Sequence, residues 1–214
     1  MRAAGLGWDG FLLYLERRAV SHLLVLAVLV AGVSVGALAS GALADSQKAE
    51  LSSHLGVYLH GLGNDLTTLD SGAMLRQSAL TYLKLSIILW ALGATVVAAP
   101  LVLGVVFVRG FVIGFAVAFL AQELGWQGVA FATVAVWPQN ILAVPGIVGA
   151  GAAALSYAGQ VASRRMRRKR TGDGEDLLTY TVITAVFVAV LGISGLVEAY
   201  ISPALMRLVA RLLG

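Results

Sequence analysis

The chain has 214 residues, of which 59% are hydrophobic and only 12% charged, with a formal net charge of +4 and no cysteine. A water-soluble domain carries about 25% charged residues, so this composition excludes disorder and argues against a soluble enzyme. The lack of cysteine excludes a disulfide framework, a thiolate metal site and a cysteine nucleophile.

A helix needs about 20 apolar residues to cross the hydrocarbon core. The chain is read as one integral membrane domain over 1–214, an all-α polytopic bundle with five spans. Residues 1–22 form a cytoplasmic N-terminus, and the first span is 23–44, free of charge. Arg17 and Arg18 followed by Ala42-Leu43-Ala44 also fit a cleaved signal peptide. The apolar run is longer than the usual h-region, which favours an uncleaved helix. Gly32, Gly36 and Ser40 make a small-residue stripe that lets helix backbones approach in lipid, within one chain or between two copies in a homodimer.

Residues 45–84 form the longest polar stretch, predicted as an extracytoplasmic amphipathic helical loop. Leu51, Leu55, Tyr58 and Leu62 fall on one helical face. That face packs on the bundle or the membrane surface, or it docks an extracytoplasmic partner. A second amphipathic piece runs from about Asp70 to Tyr82. His54 and His60 are six apart and point to different helical faces, so a zinc site is not favoured. No metal or cofactor is expected.

The second and third spans are 85–108 and 110–124, with Arg109 between them in a short cytoplasmic connection. Gly110 and Gly114 give the third span a packing face. The uncharged run 128–163 is too long for one straight crossing and contains Pro138 and Pro145. Proline removes a backbone donor and clashes with the preceding turn. The reading is a half-helix, a broken or re-entrant segment near 137–145, and a fourth span at 141–163; one kinked helix is the alternative. Gln139 and Asn140 sit at the break, where their amides would satisfy freed backbone groups. A basic loop, 164–176, precedes the fifth span at 177–201, and 202–214 form an outer tail.

Basic residues set orientation, cytoplasmic loops being richer in them. Arg2, Arg17, Arg18, Arg109 and the cluster Arg164, Arg165, Arg167, Arg168, Lys169 and Arg170 make ten of the fifteen. The N-terminus is therefore placed inside and the C-terminus outside. The basic cluster suits anionic membrane lipid better than nucleic acid.

Within the spans, Glu123, Gln139, Asn140 and Glu198 are the notable polar groups. Such residues are functional candidates by default. There is no GxSxG, HExxH or phosphate loop, and no Asp or deep His in a span, so no catalytic set is assigned and the chain is not expected to be an enzyme.

Several stretches together resemble one family. These are GVYLHGLGND at 56–65, FVRGFVIGFAVAFLAQELGWQG at 107–128, WPQNILAVPGIVGAG at 137–151 and GLVEAYISPALM at 195–206. They are similar to the stage II sporulation protein M family. The resemblance implies a membrane protein of the division septum and engulfing membrane that acts with sporulation proteins D and P, which degrade peptidoglycan. It implies a scaffold that recruits or activates those hydrolases. The outer face of Leu51, Leu55, Tyr58 and Leu62 and the segment with Glu198, Tyr200 and Pro203 are the candidate partner surfaces. A channel or permease-like subunit is the alternative, motivated by the broken fourth span and its polar residues.

Overall fold

Apolar sequence and the absence of internal charge make Ala19–Gly41 a continuous helix, α1, 23 residues long. In the computed structural model the described residues are 18–64, 71–95, 99–166, 173–202 and 204–206, and every regular element among them is helical. The tail beyond Met206, Pro203, Arg167–Arg170, and Arg2 and Arg17 of the N-terminus lie outside the described residues, as do the side chains of Tyr58, His60 and Leu62. The remaining helices are α2 (Asp45–Asn64), α3 (Ser71–Ala94), α4 (Ala99–Met166) and α5 (Asp173–Leu196), followed by a π-helical turn at Val197–Ile201. Among the described residues, three helices are long and apolar enough to cross a membrane: Ala19–Gly41, Pro100–Ser163 and Leu177–Met206.

At 64 residues, the second of these would be about 96 Å long if straight, three times the hydrocarbon thickness. It does not run straight. Gly125 adopts φ 57°, ψ −133°, a region open essentially to glycine alone, and α4 folds back there into two limbs. Gly128 comes up against the backbone of Leu120, and one cavity is lined from both limbs, by Ile113 and Val117 and by Val136, Trp137, Asn140 and Pro145.

Side-chain contacts give the directions. Leu29 and Val33 of α1 meet Gly110 and Gly114 of the first limb, and the Gln122 amide donates to Ser40 Oγ at 2.8 Å. The two helices therefore run parallel. Ser156 of the returning limb donates to Ser21 at 3.0 Å, so that limb is antiparallel to α1. Gly146 meets Leu191, while Tyr157 stacks on Tyr180 at 4.7 Å, which sets α5 antiparallel to the returning limb. Tyr180 donates to the carbonyls of Leu89 and Trp90, and Ser194 lies against Tyr82, which sets α3 antiparallel to α5.

The returning limb is the centre of the bundle. Ala143, Ile147, Ala150, Ala152, Ala153 and Ala154 are all buried. Their small size lets α1, α3, α5 and the first limb close around one axis, the packing that substitutes for a hydrophobic drive within lipid. Two large core clusters result, besides a small one of Phe131 and Met206. One gathers Val25, Leu29, Tyr82, Val106 and Leu191, the other Leu89, Val102, Tyr157, Tyr180 and Phe187.

The helix boundaries correct three expectations. No boundary falls at Arg109, where the second and third spans were expected to meet: α3 ends at Ala94, α4 runs from Ala99 to Met166, and Arg109 lies inside α4. From Ser71 onward, the amphipathic piece placed at about Asp70–Tyr82 in an outer loop is the beginning of α3, which continues without a break through Leu85. The segment 137–145 is helical, with Pro138 and Pro145 inside α4, and is not broken. A proline is tolerated in a membrane helix when neighbours satisfy the backbone groups around it; Pro138 is half-buried and Pro145 exposed. Here Asn140 Nδ2 donates to Val136 O at 2.7 Å and Ser194 Oγ to Gln139 O at 2.8 Å. The reversal is made at glycine instead, where the positive φ carries no steric penalty.

Candidate functional site: a polar network inside the bundle

Arg109 is an isolated cation in an otherwise apolar limb, and the fold turns it toward α3. Its Nη2 donates to the Tyr82 hydroxyl at 3.2 Å, and the guanidinium carbon lies 5.5 Å from the Tyr82 ring centroid. Tyr82 is 2% exposed. Ser194 Oγ of α5 sits 3.3 Å from the same hydroxyl and gives its proton to the Gln139 carbonyl. The Glu198 carboxyl lies near enough to the phenol to act on it electrostatically. Ser202 Oγ reaches Gln139 Oε1 at 3.4 Å. Four elements thus meet in one network: Arg109, Tyr82, Ser194 and Glu198 around a phenol, with Gln139 and Ser202 attached.

The π-helical turn holds Glu198. The Ser202 N–H donates to Val197 O, the five-residue step of a π-helix. Such single turns are frequent at functional sites because the extra residue re-aims a side chain. Glu198 is half-buried, while Tyr200 is exposed.

Of the residues singled out in the sequence, Gln139 and Glu198 come together in this network. Asn140 does not join it: its Oδ1 is buried without a partner, and the residue lines a separate cavity of about 380 Å³ with Trp137 and Pro145. Gly32 and Gly36 lie against the backbone of Phe107 and Phe111, and Gly110 and Gly114 against that of Leu29 and Val33. Ser40 is buried beside Gln122. Arg109 and Tyr82 were missed as site residues, the first read as a loop charge and the second as one apolar position of an amphipathic helix. Among the described residues, no group of three or more His, Asp or Glu is placed to hold a metal ion.

A second polar locus sits beside the Gly125 turn. Lys48 Nζ is 3.1 Å from Glu123 Oε1, and Ser52 Oγ donates to Glu123 Oε2. This couples α2 to the tip of the α4 hairpin. Leu51 and Leu55 are half-buried, and among the described residues α2 forms no packed helix–helix interface with the bundle.

The family described as Stage II sporulation protein M matches residues 25–203. The chain belongs to the stage II sporulation protein M family. The match takes in α1 from Val25 onward, every residue of the network and the hairpin turn. No curated protein and no solved structure matches the chain. Family membership and the apolar helices make it a sporulation-related membrane protein.

The network also sets a stability expectation. Tyr82→Phe leaves the Arg109 guanidinium without its acceptor. A buried group left unpaired costs about 1–3 kcal/mol, so the variant should unfold at lower temperature in detergent. An unchanged midpoint would mean that the phenol contributes packing alone.

Proposed function

We propose that this protein is an integral membrane scaffold of the sporulation septum that holds peptidoglycan-degrading partners, with sporulation proteins D and P as the candidates the family suggests. Five crossings fit the helix directions: α1, α3, the two limbs of α4, and α5. With the N-terminus inside, the α4 turn and α2 are outside and the basic run at 164–170 is inside, toward anionic lipid. Removing Arg109 from the tally leaves nine basic residues on the inner side, and the orientation is unchanged. α3 is the least apolar crossing, with Lys84 on an exposed face, where a long stem can carry its charge to the interface.

The observation that carries the scaffold reading is the seat of α2. It is tied to the bundle by the polar Lys48–Glu123 and Ser52–Glu123 contacts, and its leucine positions are not spent on a helix–helix interface among the described residues. Apolar positions at this spacing suit helix-in-groove recognition. Tethering raises the effective concentration of weakly held enzymes and asks no catalytic group of the scaffold itself, which we read as a non-enzyme. A transport role is the second reading, favoured by the Arg109–Tyr82–Glu198 network inside the bundle.

Leu55→Glu with Tyr58→Glu separates docking from packing. The scaffold reading expects a stable, correctly inserted protein that no longer retains hydrolases at the septum. Degradation of the variant would show that the face packs on its own protein. A stable variant that still recruits them would move the contact to the Glu198–Tyr200–Pro203 segment or into the spans.

A further inference from the structure

Two cavities lie end to end between α3 and α5. One, of about 510 Å³, reaches from Leu75 and Leu196 to Ser86 and Val188, and the other, of about 270 Å³, continues from there to Trp90 and Thr181. They share Leu83, Ser86 and Val188, so they form one cleft. Along α3, from Leu75 to Trp90, it is about 22 Å long. Leu83, Ile87 and Ile193 stand exposed at its rims, and Gly195 is buried beneath it. Its few polar groups are spent or covered: Ser86 donates to the Tyr82 carbonyl at 2.7 Å, and the Thr184 hydroxyl is buried away from the surface. At the Trp90 end the indole N–H donates to Thr181 at 3.2 Å and ties the two walls together. At the other end the walls are the side chains of Leu75 and Leu196. Tyr82, the centre of the polar network, lines the cleft from below, and a Cβ at Gly195 would press on its ring at 3.2 Å.

The two volumes spread over that length leave a bore about 7 Å wide, whereas an α-helix with its side chains is about 10–12 Å across. A partner's span or a second copy of this chain is too thick to enter; a hydrocarbon chain is not. A chain lying there meets wall atoms on both sides, dispersion contacts that an empty cleft forfeits. We propose that the α3–α5 cleft holds one acyl chain of a bilayer phospholipid, which seals the exposed side of Tyr82. The head lies at the Leu75–Leu196 end, in the leaflet on the α2 side, which is the outer leaflet in the orientation given above. The chain runs down the cleft into the hydrocarbon and stops at the Trp90–Thr181 bridge.

The test uses full-length protein, one copy per phosphatidylcholine nanodisc, with phosphatidylcholine carrying a diazirine high or low on one chain and adducts mapped by mass spectrometry. The high diazirine should mark 75–83 and 192–196, and the low one 86–90 and 181–185. Both should exceed the labelling of the exposed α1 residues Leu23, Val30 and Leu38. A side chain started at Gly192 meets nothing within 4 Å, so Gly192→Trp grows into the cleft and should bring its labelling down to the α1 level. Ala79→Phe does the same from α3, and decides should Gly192→Trp fail to fold. Stripping phospholipid should lower the melting midpoint of the wild type and leave that of Gly192→Trp unmoved, because the indole fills the cleft in the lipid's place. Cleft labelling no higher than that of α1, an inverted depth pattern, or full labelling of both variants would each overturn the assignment. Loss of cleft labelling when two copies share a disc would overturn it as well and give the cleft to a second copy.

Discussion

Gly36→Leu should remove most of the folded protein. A Cβ at Gly36 would run into the backbone carbonyl of Phe111, and one at Gly114 into that of Val33. These neighbours are backbone in parallel, mutually embedded helices, and no rotamer change can relieve the clash. Overpacking costs about 1–3 kcal/mol where side chains can move, and occasionally more. Here the upper end applies, since α1 must separate from α4 along its whole length. Loss of monodisperse protein in detergent, or a large fall in midpoint, is the expected readout. Gly104→Leu is the control, because space at Gly104 is open. Equal stability of Gly36→Leu and wild type would mean that α1 and the first limb are not in contact.

The second large effect belongs to Gly125. Its φ of 57° with ψ of −133° is a conformation that costs a side-chain-bearing residue about 1–3 kcal/mol. Gly125→Val adds a branched Cβ to that cost and should strain the reversal that makes two limbs of α4. Since Glu123 is two residues away, the tie to Lys48 and Ser52 should loosen as well. Thermal unfolding together with protease sensitivity of α2 reads both consequences. A variant with wild-type stability would place the reversal elsewhere.

Much of this architecture is legible in the sequence, for a simple reason. Apolar runs and small-residue stripes act locally, so the 23–44 run and the Gly32–Gly36 and Gly110–Gly114 pairs can be read one segment at a time. Which stripe meets which is a tertiary fact, and the pairing of α1 with the first limb of α4 is not written in either. Arg109 misleads because a charge at the end of an apolar run ordinarily marks a loop. Its neighbours carry the better signal, for RGFVIG holds a packing stripe and no turn residues beyond glycine. The prolines mislead in the opposite sense. Pro138 and Pro145 look like breaks, yet Asn140 and Ser194 serve the surrounding backbone, and the real reversal is at a glycine in LGWQG. Tyr82 and Ser194 could not be found from spacing, since each is an ordinary polar residue until α3 and α5 place them on either side of Arg109 and Glu198.

All of the proposed function depends on α2 facing away from the cytoplasm, with the basic run at 164–170 on the inner side. Because the chain has no cysteine, single cysteines at Ser53 and Arg168 measure this directly in intact cells with a membrane-impermeant thiol reagent. The account predicts rapid labelling of Ser53→Cys from outside, and labelling of Arg168→Cys only after permeabilisation. The opposite pattern, with position 168 labelled in intact cells and position 53 protected, would contradict it.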